Sequence, residues 1–397
     1  MSIVARAHEL ETEMIAVRRQ LHANPELAFQ EKDTTAFILK KLEEYGIEAK
    51  PNGEATGVIA LLRGGKPGKT IALRADIDAL PMEETTGLAF ASTRQGVSHS
   101  CGHDIHTASL LGAAKLLSER REDICGSVKF LFQPAEERLS GSKSMIENGA
   151  LRNPDVDDIL CLHTWPELPG GSIGIRRGPA LASSDGFTIT ITGKGGHAAH
   201  PHKCVDPIVV GASIIMQLQT VVSREIAPVD SAVISIGKLV AGTAGNILPG
   251  QATLEGTVRT LTPETQAHVR ESLIRIATLT AQSLRATAEV VYTPGVPSLT
   301  CDDRIVDAIS EAAAALLGED KIVQLKTPSM GGEDFAEYLA FVPGALFRIG
   351  TADERPESQF ALHNAGTVFN EQAIVTGAIV FVGTAFKLTG SDFSTLL

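Results

Sequence analysis

The chain has 397 residues, 43% of them hydrophobic and 21% charged, with 37 Gly and 19 Pro and no low-complexity bias. This excludes fibrous and disordered classes, and the length favours two domains over one core. A formal charge of −12 with no offsetting Lys/Arg cluster repels phosphate backbones and anionic headgroups, so neither nucleic acid nor membrane is an expected partner.

Met1–Arg6 opens directly into apolar positions at helical spacing, with no signal-peptide run, and no segment approaches ~18 apolar residues. The five cysteines, Cys101, Cys125, Cys161, Cys204 and Cys301, are odd in number and scattered, which suits reduced thiols. The expected location is cytoplasmic.

Leu10, Met14, Val17 and Leu21 mark one helix face, and Ala36 to Tyr45 reads as a second helix ended by Gly46. Gly57 to Leu62 and Thr70 to Arg74 read as buried strands, Thr107 to Leu117 as a helix, and Val128 to Phe132 and Ile159 to Leu162 as further strands. That alternation predicts an α/β domain with a mainly parallel sheet. Asp76, the pair Glu136 and Glu137, and His163 each fall just past a strand end, where open α/β sheets place their sites.

From Asp185 the order becomes strand (Phe187 to Thr192), helix (Pro207 to Ser223), strand (Ala232 to Leu239), strand (Ala252 to Thr260), helix (Glu264 to Ala286) and strand (Ala288 to Thr293). This βαββαβ pattern suggests a ferredoxin-like α+β insert. A helix near Asp303 to Leu317 and a strand near Ala345 to Ile349 then resume the first style. The expected organisation is a discontinuous catalytic domain, 1–184 and 298–397, around an insert at 185–297.

Cys101 alone reads as a small buried hydrophobe, and His103 alone as a helix-start residue satisfied by backbone. Together with Glu137, His163 and His363 they make five candidate metal ligands in separate short motifs, and Gly102 permits the turn that lets Cys101 and His103 converge. Five donors exceed one catalytic site but suit two divalent ions ~3.5 to 4 Å apart with a shared ligand. Thiolate favours Zn, while imidazole and carboxylate also accept Mn, Co or Ni. Glu136, beside a ligand at the end of a buried strand, is the candidate general base, and Asp76 is a candidate to hold a ligand histidine by its free ring nitrogen.

Several segments together resemble the M20 metallopeptidase and amidohydrolase group, in the branch of hippurate hydrolases, N-acyl-amino-acid deacylases and auxin-conjugate hydrolases. They are His22–Leu27, Arg74–Pro81, Cys101–His106, Gln133–Glu137, Gly193–His202, Asn246–Pro249, Met330–Phe335 and Leu362–Asn364. The resemblance implies a zinc-peptidase-like catalytic domain with an inserted lid that forms a homodimer interface. By it, Cys101 bridges two ions, Glu137 and His363 complete one site, and His103 and His163 the other. His197 would stabilise the tetrahedral oxyanion, Asn246 would bind the substrate carboxylate, and the segment around Gly332 would line the pocket. Where relatives carry His-x-Asp this chain has Arg74-Ala75-Asp76, so Arg74 is no ligand, and Cys101 stands where those relatives have a bridging Asp.

The expected activity is hydrolysis of the amide bond of N-acyl-L-amino acids, hippurate-like or N-acetyl. An N-acetyl-diaminopimelate deacetylase or a dipeptidase would use the same centre. A metal-free thiol hydrolase built on Cys101 leaves Glu137, His163 and His363 unexplained. A silent binding protein would be expected to have lost a ligand or Glu136, and none is missing.

Overall fold

A computed structural model describes residues 1–397 and divides the chain into two compact units. The first comprises Met1–Gly178, Thr300–Thr327 and Glu337–Leu397, and the second Pro179–Leu299 with Pro328–Ala336.

The first unit is built on an eight-stranded sheet whose order is Glu48–Pro51, Val58–Arg63, Cys125–Gln133, Lys66–Asp76, Asp158–Pro169, Gly344–Ala352, Ile173–Ile175, Ile322–Gln324. Its four central strands run parallel to one another, and antiparallel pairs flank them. Apolar side chains fill those strands, as in Ile71–Leu73, Phe130–Phe132 and Ile159–Leu162, because both faces are covered.

The helix His103–Ser118 packs against the helix Gln372–Thr389, and almost every residue of the latter is buried. That last helix is missing from the sequence reading because it is apolar on all sides and so shows no amphipathic period. It and Pro207–Glu225 are both long and apolar enough to cross a membrane by composition, which corrects the expectation that no segment approaches that length. Gln372–Thr389 spends its apolar surface inside the fold.

The second unit is a four-stranded antiparallel sheet in the order Ala232–Ala241, Gln251–Thr260, Ser184–Thr192, Thr287–Val296, with the helices Pro207–Thr220 and Pro263–Ser283. The βαββαβ chain order is as read from periodicity, and Phe187, Ile189, Ile214, Leu218, Leu254 and Leu273 form its own core. The second unit begins at Pro179, runs to Leu299 and takes in a further segment of the chain. Pro328–Ala336 groups with the second unit, since Ser329 N–H donates to Ala180 O at 2.9 Å and Ala182 N–H to Gly331 O at 3.0 Å. Gly332 therefore belongs to the second unit.

Candidate metal centre

Each candidate ligand of the first unit is placed by the end of a regular element. Gly102 adopts φ +86°, and a Cβ there would stand 2.7 Å from Thr164 Cγ2, so only glycine lets the chain turn from Cys101 into the helix that His103 begins. The turn Glu136–Arg138 follows the strand Cys125–Gln133 through Ala135 at φ 53°. Asp78 holds that turn, accepting the N–H groups of Glu136 at 3.1 Å and Glu137 at 3.0 Å. His363, itself at φ 61°, donates its N–H to Ser100 O at 3.0 Å, which ties its loop to the Cys101 loop.

The side chains converge in two triads that share one atom. Cys101, His103 and His163 bring their donor atoms within 4.8 Å of one another, and so do Cys101, Glu137 and His363. Cys101 Sγ lies 3.7 Å from His163 Nε2, and His363 Nε2 lies 3.2 Å from Glu137 Oε1. His103 donates Nδ1–H to Asp78 O at 2.9 Å and His163 donates Nδ1–H to Thr164 O at 2.8 Å. Both imidazoles thus turn an Nε2 lone pair inward, the tautomer a ligand needs.

At this centre His103 Nε2 and Glu137 Oε1 are buried without a hydrogen bond from the protein. An orphaned lone pair on each side of a buried thiol is costly unless a cation satisfies it, so the donor set fits divalent metal. Burial drives the Cys101 thiol well above its ordinary range and drives His163 down to about 4, so the imidazole is neutral at pH 7 while the thiol needs a nearby cation to ionise.

Asp76 differs from expectation. Its Oδ1 is 3.8 Å from His103 Nδ1, which instead bonds the Asp78 carbonyl, and the aspartate binds His106 Nδ1 at 2.5 Å and Arg74 Nη1 at 2.6 Å. Asp76 holds a histidine that is not among the expected ligands. His106 accepts Thr164 N–H on Nε2 at 2.8 Å, and the Thr164 hydroxyl donates to Cys101 O at 2.7 Å. Arg74, fully buried, also donates Nε–H to Gln133 Oε1 at 2.9 Å.

Sequence reasoning did not assign the structural roles of His106, Asp78 and Glu31, whose carboxylate accepts Ala135 N–H at 2.9 Å. His106 carried a usable signal, since it follows His103 by three helical residues and must share its face. Glu136 is buried beside Glu137, which is part-buried. His197 and Asn246 lie together in the second unit, on a two-residue ladder that pairs His197 with Ile247, and Ala198 N–H donates to Asn246 O.

The model of peptidase family M20/M25/M40 matches residues 72–387. An N-acetylcysteine deacetylase of Bacillus subtilis is 44% identical over 94% of this chain and 98% of its own length. A hippurate hydrolase of Campylobacter jejuni is 36% identical over 98% of this chain and 99% of its own. A solved dinuclear metal-binding peptidase of the M20 family from Bacillus subtilis superposes with a TM-score of 0.85 at 39% identity, covering 97% of this chain and all of that one.

Proposed function

The chain belongs to peptidase family M20/M25/M40 and is a metal-dependent amidohydrolase of it; from that premise we propose that it hydrolyses the amide bond of N-acyl-L-amino acids, hippurate-like or N-acetyl. The observation that carries the reading is the pair of donor triads meeting at Cys101. In it, the residues that would hold two divalent ions, Mn or Zn before Co or Ni, are Cys101, shared between them, with His103 and His163 for one and Glu137 and His363 for the other. Two such ions would polarise the amide carbonyl and lower the pKa of water toward ~7.

The residues of the chain do the rest. Glu136, buried and held by its own N–H on Asp78, takes a proton from the attacking water and returns it to the departing amine nitrogen. His197 donates to the developing oxyanion, Asn246 binds the substrate carboxylate, and Gly332 lines the pocket. Asp76 acts through His106 on the positions of Cys101 and His163.

The second unit is proposed as a homodimer surface. Val209 and Met216 on one helix and Leu239 and Val240 on the sheet's outermost strand are exposed. A cytoplasmic setting goes with five cysteines that are all unpaired. The second reading, deacetylation of N-acetyl-diaminopimelate or dipeptide cleavage, uses the same centre and differs in pocket contacts.

Metal content and hydrolysis of hippurate and N-acetyl-amino acids, before and after chelation and with Mn, Zn, Co and Ni restored, test the proposal. About two ions per chain and activity that returns with metal support it. Activity indifferent to chelation would return Cys101 to consideration as a nucleophile.

A further inference from the structure

Arg348 stands on the strand Gly344–Ala352, in register beside His163 on the neighbouring parallel strand. It is only 6% exposed. The other large buried cations are neutralised or capped: Arg18 pairs with Asp104 at 2.7 Å, Arg74 with Asp76 at 2.6 Å, and Lys129 donates to the carbonyls of Ala150 and Arg152. The Arg348 side chain has no carboxylate within ion-pair distance and no hydrogen bond to protein, and its guanidinium carbon lies 3.5 Å from the centroid of the Trp165 ring.

Burial pushes the Arg348 guanidinium down to about 10, so it remains a cation at neutral pH. A desolvated guanidinium lying over indole keeps its forked donors free at its own edge, a geometry matched to a carboxylate. None of those nitrogens is sealed from solvent, so a ligand can reach them.

Direction also favours a substrate. Trp165 lies two residues beyond His163 on the same face of its strand, so the arginine reaches toward the carboxyl ends of the parallel strands. There Cys101, Glu137 and His163 gather, and there open α/β sheets bind ligands. Glu167, the next residue along that face, attracts the guanidinium from beyond 4.0 Å and is itself exposed.

We infer that Arg348, held flat on Trp165, is a specificity-determining residue that binds a carboxylate of the substrate beside the metal centre. The inference rests on the N-acyl-amino-acid reading and sharpens it. That carboxylate is either the α-carboxylate present in every such substrate or a second one on the side chain or acyl group.

Trp165 is the only tryptophan of the chain, so its emission reports occupancy directly. The metal-loaded wild type, Arg348→Gln and Arg348→Lys are titrated with glutarate, with acetate as the monocarboxylate control, alongside kinetics on N-acetyl-L-glutamate and N-acetyl-L-glutamine. With metal content and Tm unchanged, Arg348→Gln is expected to weaken glutarate roughly ten- to a hundredfold, the scale for one charged hydrogen-bonding partner. An equal loss of kcat/KM on both substrates, through KM, assigns the α-carboxylate; a loss confined to N-acetylglutamate assigns the second one.

Unchanged glutarate affinity and unchanged kinetics overturn the inference. If the glutamine variant loses metal or melts early, Arg348→Lys decides: partial loss of affinity in the folded lysine variant supports recognition by the fork, and wild-type affinity assigns a structural role. A wild type that hydrolyses no N-acyl amino acid would sink the functional reading, while the fluorescence titration still decides Arg348.

Discussion

His106 Nδ1 sits 2.5 Å from Asp76 Oδ1, and through that contact a fully buried carboxylate reaches two candidate ligands it does not touch. The aspartate fixes the tautomer, the other ring nitrogen accepts Thr164 N–H, and Thr164 in turn holds the carbonyl of Cys101 and follows His163 in sequence. His103, His106 and Arg74 around it keep Asp76 ionised despite its burial. His106→Phe, which keeps the ring volume and removes both bonds, is therefore expected to weaken metal binding roughly ten- to a hundredfold, the usual cost of losing an outer partner of a ligand. Competition against a chromophoric chelator measures it, and wild-type affinity in the variant would show that the chain of bonds is incidental.

The two neighbouring glutamates should separate cleanly. Glu136→Gln keeps the shape and the backbone bond to Asp78, so metal content should stay at the wild-type level while kcat falls roughly 10²- to 10⁴-fold. Glu137→Gln removes the carboxylate that meets His363 at 3.2 Å, and it should lower the bound metal itself. If both variants lose metal alike, Glu136 is a ligand rather than a base.

Much of this candidate centre is legible in the sequence. Cys101, His103, Glu137 and His163 stand out because each follows an element whose apolar pattern is easy to read. Asp76 and Asp78 both lie close to His103, and spacing cannot tell which of them a ring nitrogen will choose; the backbone carbonyl of Asp78 takes it. The helix Gln372–Thr389 was invisible for the opposite reason, since a helix buried all round has no polar face to set a period. The strands Ile173–Ile175 and Ile322–Gln324 are too short to carry alternation, and they form only because the sheet edge beside Gly344–Ala352 completes their ladders.

Phe381 gives that unread helix a measurable weight. Its ring meets Phe347 of the central sheet edge-on at 5.5 Å, and both are fully buried. Phe381→Ala should cost about 3 to 5 kcal/mol of unfolding free energy, the range for a buried aromatic truncated in a close-packed core. Chemical denaturation at fixed metal concentration checks the value, and a loss under about 1 kcal/mol would mean that the helix is not part of the core that folds cooperatively.

Glu31 supplies a pH-dependent component of stability away from the ligands. Burial raises its carboxyl to about 7 from an ordinary 4.5, even though the Thr56 hydroxyl and Ala135 N–H oppose the shift. The folded protein then holds a proton that the unfolded chain has released between those two values, so stability is fullest below about 4.5 and falls as pH rises through about 7. The change from this one group is on the order of 3 kcal/mol at most. Glu31→Gln stays neutral throughout, so subtracting its denaturation profile from the wild type between pH 5 and 8 should isolate a falling component; a flat difference would mean that Glu31 is ionised at both ends.

The exposed apolar residues of the second unit bear on assembly. Met216 is 71% exposed and Val240 55%, on a helix and on an unpaired sheet edge of the same unit, and an edge strand with apolar residues is a template for another strand. A two-fold interface presents each residue twice, so one substitution places two like charges across the same small area. Met216→Lys with Val240→Lys should weaken a homodimer roughly a hundredfold or more without changing Tm extrapolated to low protein concentration, because neither side chain belongs to the unit's core. Light scattering over a dilution series reads the change. A variant that stays dimeric at the wild-type midpoint would move the interface off this face, and a wild type that is monomeric throughout would leave the apolar helix to some other partner.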